Sequence, residues 1–178
     1  MAANFITNSA CPGNFLTGIG FQFQLVKYPK VSFFCQTANV PGITLAVATQ
    51  STRWNAIPHP GDEISFEDLQ IEFIVDENLV NYTTIHNWVR KLGHPYSSED
   101  IQELPGDNLE DKTYSDGILF ILDSNFNKKF KVVFEDLFPV NIGALNFQSN
   151  AENVQYFTVS TSFKYTKYKI YDINDNKL

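Results

Sequence analysis

Two copies of the tetrapeptide Phe-Glu-Asp-Leu, at residues 66–69 and 134–137, set adjacent carboxylates inside apolar frames. Paired acids are what general acid–base catalysis or a hard cation would use. The surrounding alternation argues against both uses. Ile64 and Phe66 fall on one side of a strand, whereas Leu69, Ile71, Phe73 and Val75 fall on the other. The apolar face therefore changes sides at Glu67 and Asp68, and a β-bulge is the usual device for absorbing such a slip. Neighbours in a strand point to opposite faces, so neither Glu67–Asp68 nor Glu135–Asp136 is arranged to share a proton or an ion. The second copy repeats the inversion: Phe130, Val132 and Phe134 are in phase, Leu137 is out, and Pro139 is expected to end the ladder. Both copies read as punctuation in a sheet rather than as a site.

The other reactive side chains are isolated. His59 has acids close by, Asp62 and Glu63, in a Pro-His-Pro-Gly-Asp-Glu stretch. A base or metal role is one reading of it; a rigid Pro-Gly turn between strands is the plainer one. His86 lies on a helical stretch beside Trp88, and His94 is remote from both. Cys35 sits in the apolar run Ser-Phe-Phe-Cys-Gln-Thr, where a thiol packs as a small hydrophobe with nothing to lower its pKa. It forms no CxxC pair with Cys11, and both thiols are read as reduced. No phosphate-binding glycine loop, zincin, nucleophile-elbow or EF-hand pattern occurs. The expectation is a chain without catalytic residues, metal or cofactor.

At 178 residues the chain suits a single domain, 1–178. Its 43% hydrophobic residues, sixteen Phe among them, provide a core of large rings and exclude a disordered chain. A net charge of −7 argues against a surface that grips nucleic-acid phosphates. The first residues lack a basic-then-apolar leader, and no window approaches the ~18 apolar residues of a membrane span, so the expected place of folding is a cytoplasm.

Residues 1–14, with Pro12 and Gly13, read as a flexible arm. Alternation from Phe21 to Leu25 and the run Val31 to Cys35, separated by a Pro-containing turn, predict a hairpin. Ala38 to Pro60 reads as an extended excursion around a β-prone run from Ile43 to Trp54. Leu79, Tyr82, Ile85, Trp88, Val89 and Leu92 keep helical spacing and predict one packed helix over about 79–92, with Asp76 or Asn78 as its cap. Residues 94–116 form an acidic insertion loop and 172–178 a tail. Strands are expected at 117–123, at 130–137 and, unusually long, at 154–171. Phe157, Val159, Phe163 and Tyr165 share one side of that last strand, and a monomer would leave it as a sticky edge. The fold class is mainly β: an antiparallel sandwich or barrel with one packed helix.

Three stretches in order carry a family resemblance: NFLTGIGFQFQLVKYPKVSFFCQTANVPGI (14–43), PGDEISFEDLQIEFIVDENLVNYTTIHNWV (60–89) and VVFEDLFPVNIGALNFQSNAENVQYFTVSTSFKYTKY (132–168). Together they resemble the tail-tube proteins of T-even-like contractile bacteriophages. The resemblance implies a protomer that joins five others in a ring, strands around a common lumen, and rings stacked into a tube through which DNA passes without specific binding. It implies a virion tail protein assembled in the host cytoplasm, with itself and adjacent tube, sheath, baseplate or neck proteins as partners, and no enzymatic residues. It makes the excursion an inter-ring contact and the last strand a subunit seam, so the interface candidates are Ile43, Leu45, Val47, Trp54, Phe157, Val159, Phe163 and Tyr165. The segments 1–14, 94–116 and 172–178 suit a specialised ring, such as a tube terminator or a baseplate-proximal initiator. The competing readings are a monomeric β-sandwich that binds protein or carbohydrate through loop 94–116, and a hydrolase using His59 and Asp62.

Overall fold

The computed structural model describes residues 16, 18–29, 34–93, 104–107, 112–147 and 156–177. The expected arm 1–14 with Cys11, and much of segment 94–116 including His94, lie outside the described residues. Nine strands and one long helix are described: β1 Phe21–Leu25, β2 Phe34–Ala38, β3 Ile43–Ser51, β4 Ala56–Phe66, β5 Leu69–Ile74, α1 Val80–Gly93, β6 Ser115–Leu122, β7 Lys128–Ile142, β8 Thr158–Lys164 and β9 Lys167–Asp172. Every strand pairing is antiparallel.

The main sheet runs β1-β6-β7-β8-β5-β2, with β9 beside the first half of β7. The fifteen residues of β7 belong to two layers. Residues up to Leu137 pair with β6, those from Phe130 to Glu135 also pair with β9, and residues from Phe138 pair with β8. The change falls on the second Phe-Glu-Asp-Leu. Ser115 faces Leu137 while Gly117 faces Phe134, so β7 carries one extra residue there, and Asp136 takes φ 56°. Val132 and Phe134 before the bulge and Leu137 and Pro139 after it all point into the core. That is the inversion of parity expected from the sequence.

The long C-terminal strand is described as two, β8 and β9. They nevertheless run along β7 in one register: Lys164 faces Phe138 and Lys167 faces Glu135, three residues further on along each strand. Thr166 bridges the gap by donating its N–H to the Glu135 carbonyl at 3.0 Å. Among the described residues the expected β1–β2 hairpin is not formed, and residues 31–33 of its second strand lie outside them. β1 pairs with β6 and β2 with β5, so sequence neighbours separate into different layers. Pro139 does not end its ladder either: it faces Phe163 beside a second irregularity, where its missing N–H costs nothing.

One core holds these layers together. Phe23 and Leu25 of β1, Leu69, Ile71 and Phe73 of β5, Val132, Phe134 and Leu137 of β7, and Val159 and Phe163 of β8 are buried with Ile85 and Trp88 of α1. The helix presents the face its 3.6-residue period assigns. Neither expected cap residue secures its start; Asn81, fully buried, accepts from the Asp76 and Tyr82 amides and donates to the Ile74 carbonyl. The result is a mainly β, antiparallel sandwich with one packed helix.

Candidate functional site

The excursion after Ala38 is a two-stranded ribbon. Among the described residues β3 and β4 pair only with each other. Every residue of β3 is exposed, as are nine of the eleven in β4. Directly paired residues share a face in an antiparallel ladder. One face carries Ile43 opposite Phe66, Leu45 opposite Ile64, Val47 opposite Pro60 and Thr49 opposite Pro58. The other carries Thr44 opposite Ser65, Ala48 opposite His59 and Gln50 opposite Ile57. The ribbon is thus amphipathic, and its apolar stripe faces solvent with Ile43 56%, Val47 64% and Ile64 55% exposed. A lone two-stranded ribbon is marginal in water, and an apolar stripe along one adds to that problem.

The sequence builds this arm deliberately. At Gly61 a side-chain carbon would lie 2.6 Å from the Ala46 carbonyl oxygen, so only glycine admits the close approach at the irregularity between Leu45 and Val47. The tip, Thr52–Asn55, closes through Thr52 N–H to the Asn55 carbonyl (3.0 Å) and Asn55 N–H to Thr52 Oγ1 (3.1 Å). It presents Trp54, 84% exposed, with the Arg53 guanidinium over its ring.

Both acidic tetrapeptides serve at the root of the arm. Phe66 packs against Tyr165 and Tyr168, which also close on Phe134. The Tyr165 hydroxyl donates to the Glu67 carbonyl (2.8 Å), and the Tyr168 hydroxyl donates to the Pro41 carbonyl (3.1 Å). The Glu67 carboxylate accepts from the Gly42 amide at 3.3 Å, and Asp68 pairs with Lys164 at 2.5 Å. In the second copy Glu135 pairs with Lys167 and Lys169, and the Lys169 hydrogen bond, then that of Lys167, holds its carboxyl below the usual range. Each acid therefore has a backbone or lysine partner or stands at the bulge, and none faces its neighbour as a reactive pair.

The interface candidates divide. Ile43, Leu45, Val47 and Trp54 all stand exposed on the arm, and Phe157 is 38% exposed against Phe147. Val159 and Phe163 are each 1% exposed inside the core, because β8 lies between β5 and β7 and is not an edge. They have no surface to offer a neighbour, which corrects their assignment to a seam. Tyr165 belongs to the root of the arm, where burial, with Tyr168, Asp68 and Glu67 beside it, raises its hydroxyl to about 12. His59 lies on the polar face of the ribbon against Gln50 Oε1 at 3.0 Å, and His86 stacks on Tyr82. Burial pushes the Cys35 thiol up to about 12. The sequence reading missed Pro58, Pro60, Ile64 and Phe66 as half of the stripe. Their even-numbered alternation was visible, but two prolines made the segment look like a turn.

A family model described as phage tail tube protein matches residues 4–171. Nothing among curated proteins matches. Solved structures with a similar fold include a chain of the anti-feeding prophage cap, the AFP tube terminating cap, with TM-score 0.61, 11% identity and coverage of 97% of this chain and 99% of that one. Another is a chain of the sheath–tube complex of PVC, an extracellular contractile injection system, in its extended state (TM-score 0.59, 8% identity, 89% and 93% covered). A third belongs to the anti-feeding prophage baseplate, 6-fold symmetrised (TM-score 0.55, 11% identity, 93% and 97% covered). With the family model spanning nearly all of its length, the chain belongs to the phage tail tube protein family.

Proposed function

We propose that this protein is a non-enzymatic structural protomer of a contractile phage tail. Six copies form a ring that builds or caps the tube, and DNA passes through the lumen without being specifically bound. The observation that carries this reading is the arm: an ordered ribbon with an apolar face that no neighbouring strand covers among the described residues. Such a surface is retained where a second copy buries it. The structural neighbours support the reading, since they come from a sheath–tube complex, a tube terminating cap and a baseplate, the last 6-fold symmetrised. The net charge of −7 suits a conduit, because a wall that attracted phosphate would hold the DNA it must release. Its partners are then its own copies and the adjoining tube, sheath, baseplate or neck proteins, in a tail assembled in the host cytoplasm. Light scattering coupled to chromatography, with negative-stain microscopy of the same fractions, tests it. Closed rings or tubes with a central hole are expected; a species that stays monomeric at every concentration, with and without neighbouring tail proteins, contradicts it.

A further inference from the structure

A cavity of about 760 Å³ opens beside the root of the arm, lined in part by Tyr114, Asp116, Asp136, Phe138 and Tyr165. This is the size range of pockets that take a side chain or small ligand, ~300–1,000 Å³. Tyr114 and Phe138 meet edge to face, at 5.7 Å between centroids, and provide an aromatic wall. Asp116 and Asp136 supply two carboxylates, joined by the Asp136 amide donating to Asp116 Oδ1 at 3.4 Å. Neither carboxylate has an ion-pair partner among the described residues. Lys27, also at the wall, donates to the Lys112 carbonyl and lies 4.9 Å from the Trp88 ring. The cavity thus offers a ring-lined surface beside two carboxylates.

The arm carries the matching chemistry at its tip: an exposed indole and a guanidinium on adjacent residues, Arg53 and Trp54. Arg and Trp are the side chains that most often anchor an interface when seated in a pocket. The tip cannot enter its own cavity. Tyr165 lines the cavity and also holds the root of the arm through Glu67, whereas the nine residues of β3, at ~3.3 Å each, place the tip roughly 30 Å away. An occupant must come from another molecule, and a tip-to-root contact is heterologous, the kind that closes into rings or continues along a stack.

We infer that the Arg53–Trp54 tip of one copy seats in the cavity of the next, the indole against Tyr114 and Phe138 and the guanidinium between Asp116 and Asp136. The inference rests on the assembly reading above and names the latch within it. Its test uses the full chain with Cys11 and Cys35 replaced by Ser. Asn55→Cys, next to the indole, is mixed under mild oxidation with Thr166→Cys on the cavity wall, and with Ser160→Cys, four residues along β8 from the position facing Phe138, as a control. A heterodimer with Thr166→Cys and none with Ser160→Cys is expected. Arg53→Glu should raise the concentration needed for assembly at least ~30-fold, and adding Asp116→Arg should restore it. Rings that form without the Thr166→Cys product overturn the latch and leave the assembly reading standing. A protein that forms no higher species removes both.

Discussion

Val47→Glu separates the stability of the folded chain from the stability of its assembly. Val47 lies in the middle of the apolar stripe and is 64% exposed in the isolated chain. A glutamate there sits in water, so the melting curve of the dilute protomer should move by no more than about 0.5 kcal/mol. The assembled state is different. Fully burying a valine contributes about 1.5–3 kcal/mol, and with roughly two thirds of that burial still to be gained the native residue contributes about 1–2 kcal/mol per contact. A carboxylate forced into the same place adds the cost of an unpaired buried charge, several kcal/mol more. The sum is at least about 3 kcal/mol, or more than 100-fold per contact. The assay pairs thermal unfolding of dilute protein with sedimentation velocity across a concentration series. Unchanged melting with lost oligomers is expected. If Val47→Glu assembles like the parent, or if it lowers the melting temperature of the monomer severely, the stripe is not an intermolecular surface.

Gly61→Ala should leave the core intact but weaken assembly, because its new carbon would stand 2.6 Å from the Ala46 oxygen and 2.9 Å from the Ala46 carbonyl carbon, and the ribbon must shift; circular-dichroism melting and sedimentation read the two effects. Thr161→Val should stabilise the fold by about 1 kcal/mol, since the Thr161 hydroxyl is buried without a hydrogen-bond partner among the described residues and valine keeps the shape. For a chain of this length that corresponds to a rise of roughly 2–4 °C in Tm by calorimetry. Glu135→Gln tests the lysine contacts at the bulge. The Glu135 carboxyl is held below its ordinary range, chiefly by Lys169 and then Lys167, so its contribution is fully present above the unfolded value near ~4.3 and is lost as pH falls through the depressed one. The Tm gap between parent and variant should be constant from neutral pH down to about 5 and narrow as pH drops further; a gap that widens on acidification contradicts the assignment.

Much of the local structure was legible because it depends on parity and period. The step from Phe66 to Leu69 and from Phe134 to Leu137 could be read directly, and both proved to be places where the chain changes layer or bulges. The helix was legible from Ile85, Trp88 and their neighbours at 3.6-residue spacing. Pairing partners were not, because β1 finds β6 almost a hundred residues away and no local signal announces it. The arm was half legible. Ile43, Leu45, Val47 and Thr49 alternate, yet their partners include Pro58 and Pro60, which look like loop residues and are tolerated because, among the described residues, this ribbon has no third strand to receive their missing N–H bonds. The last strand misled through its edge. Its length and mixed faces suggested a free seam, but β5 and β7 flank β8 on both sides, so Val159 and Phe163 serve the interior while the surface that needs a partner lies in β3 and β4.

A cryo-EM reconstruction of the self-assembled protein tests the central claim most directly. The account predicts a closed ring in which the stripe of Ile43, Leu45, Val47 and Ile64 lies against a neighbouring copy. A reconstruction in which that stripe faces solvent, whatever the symmetry, would contradict it.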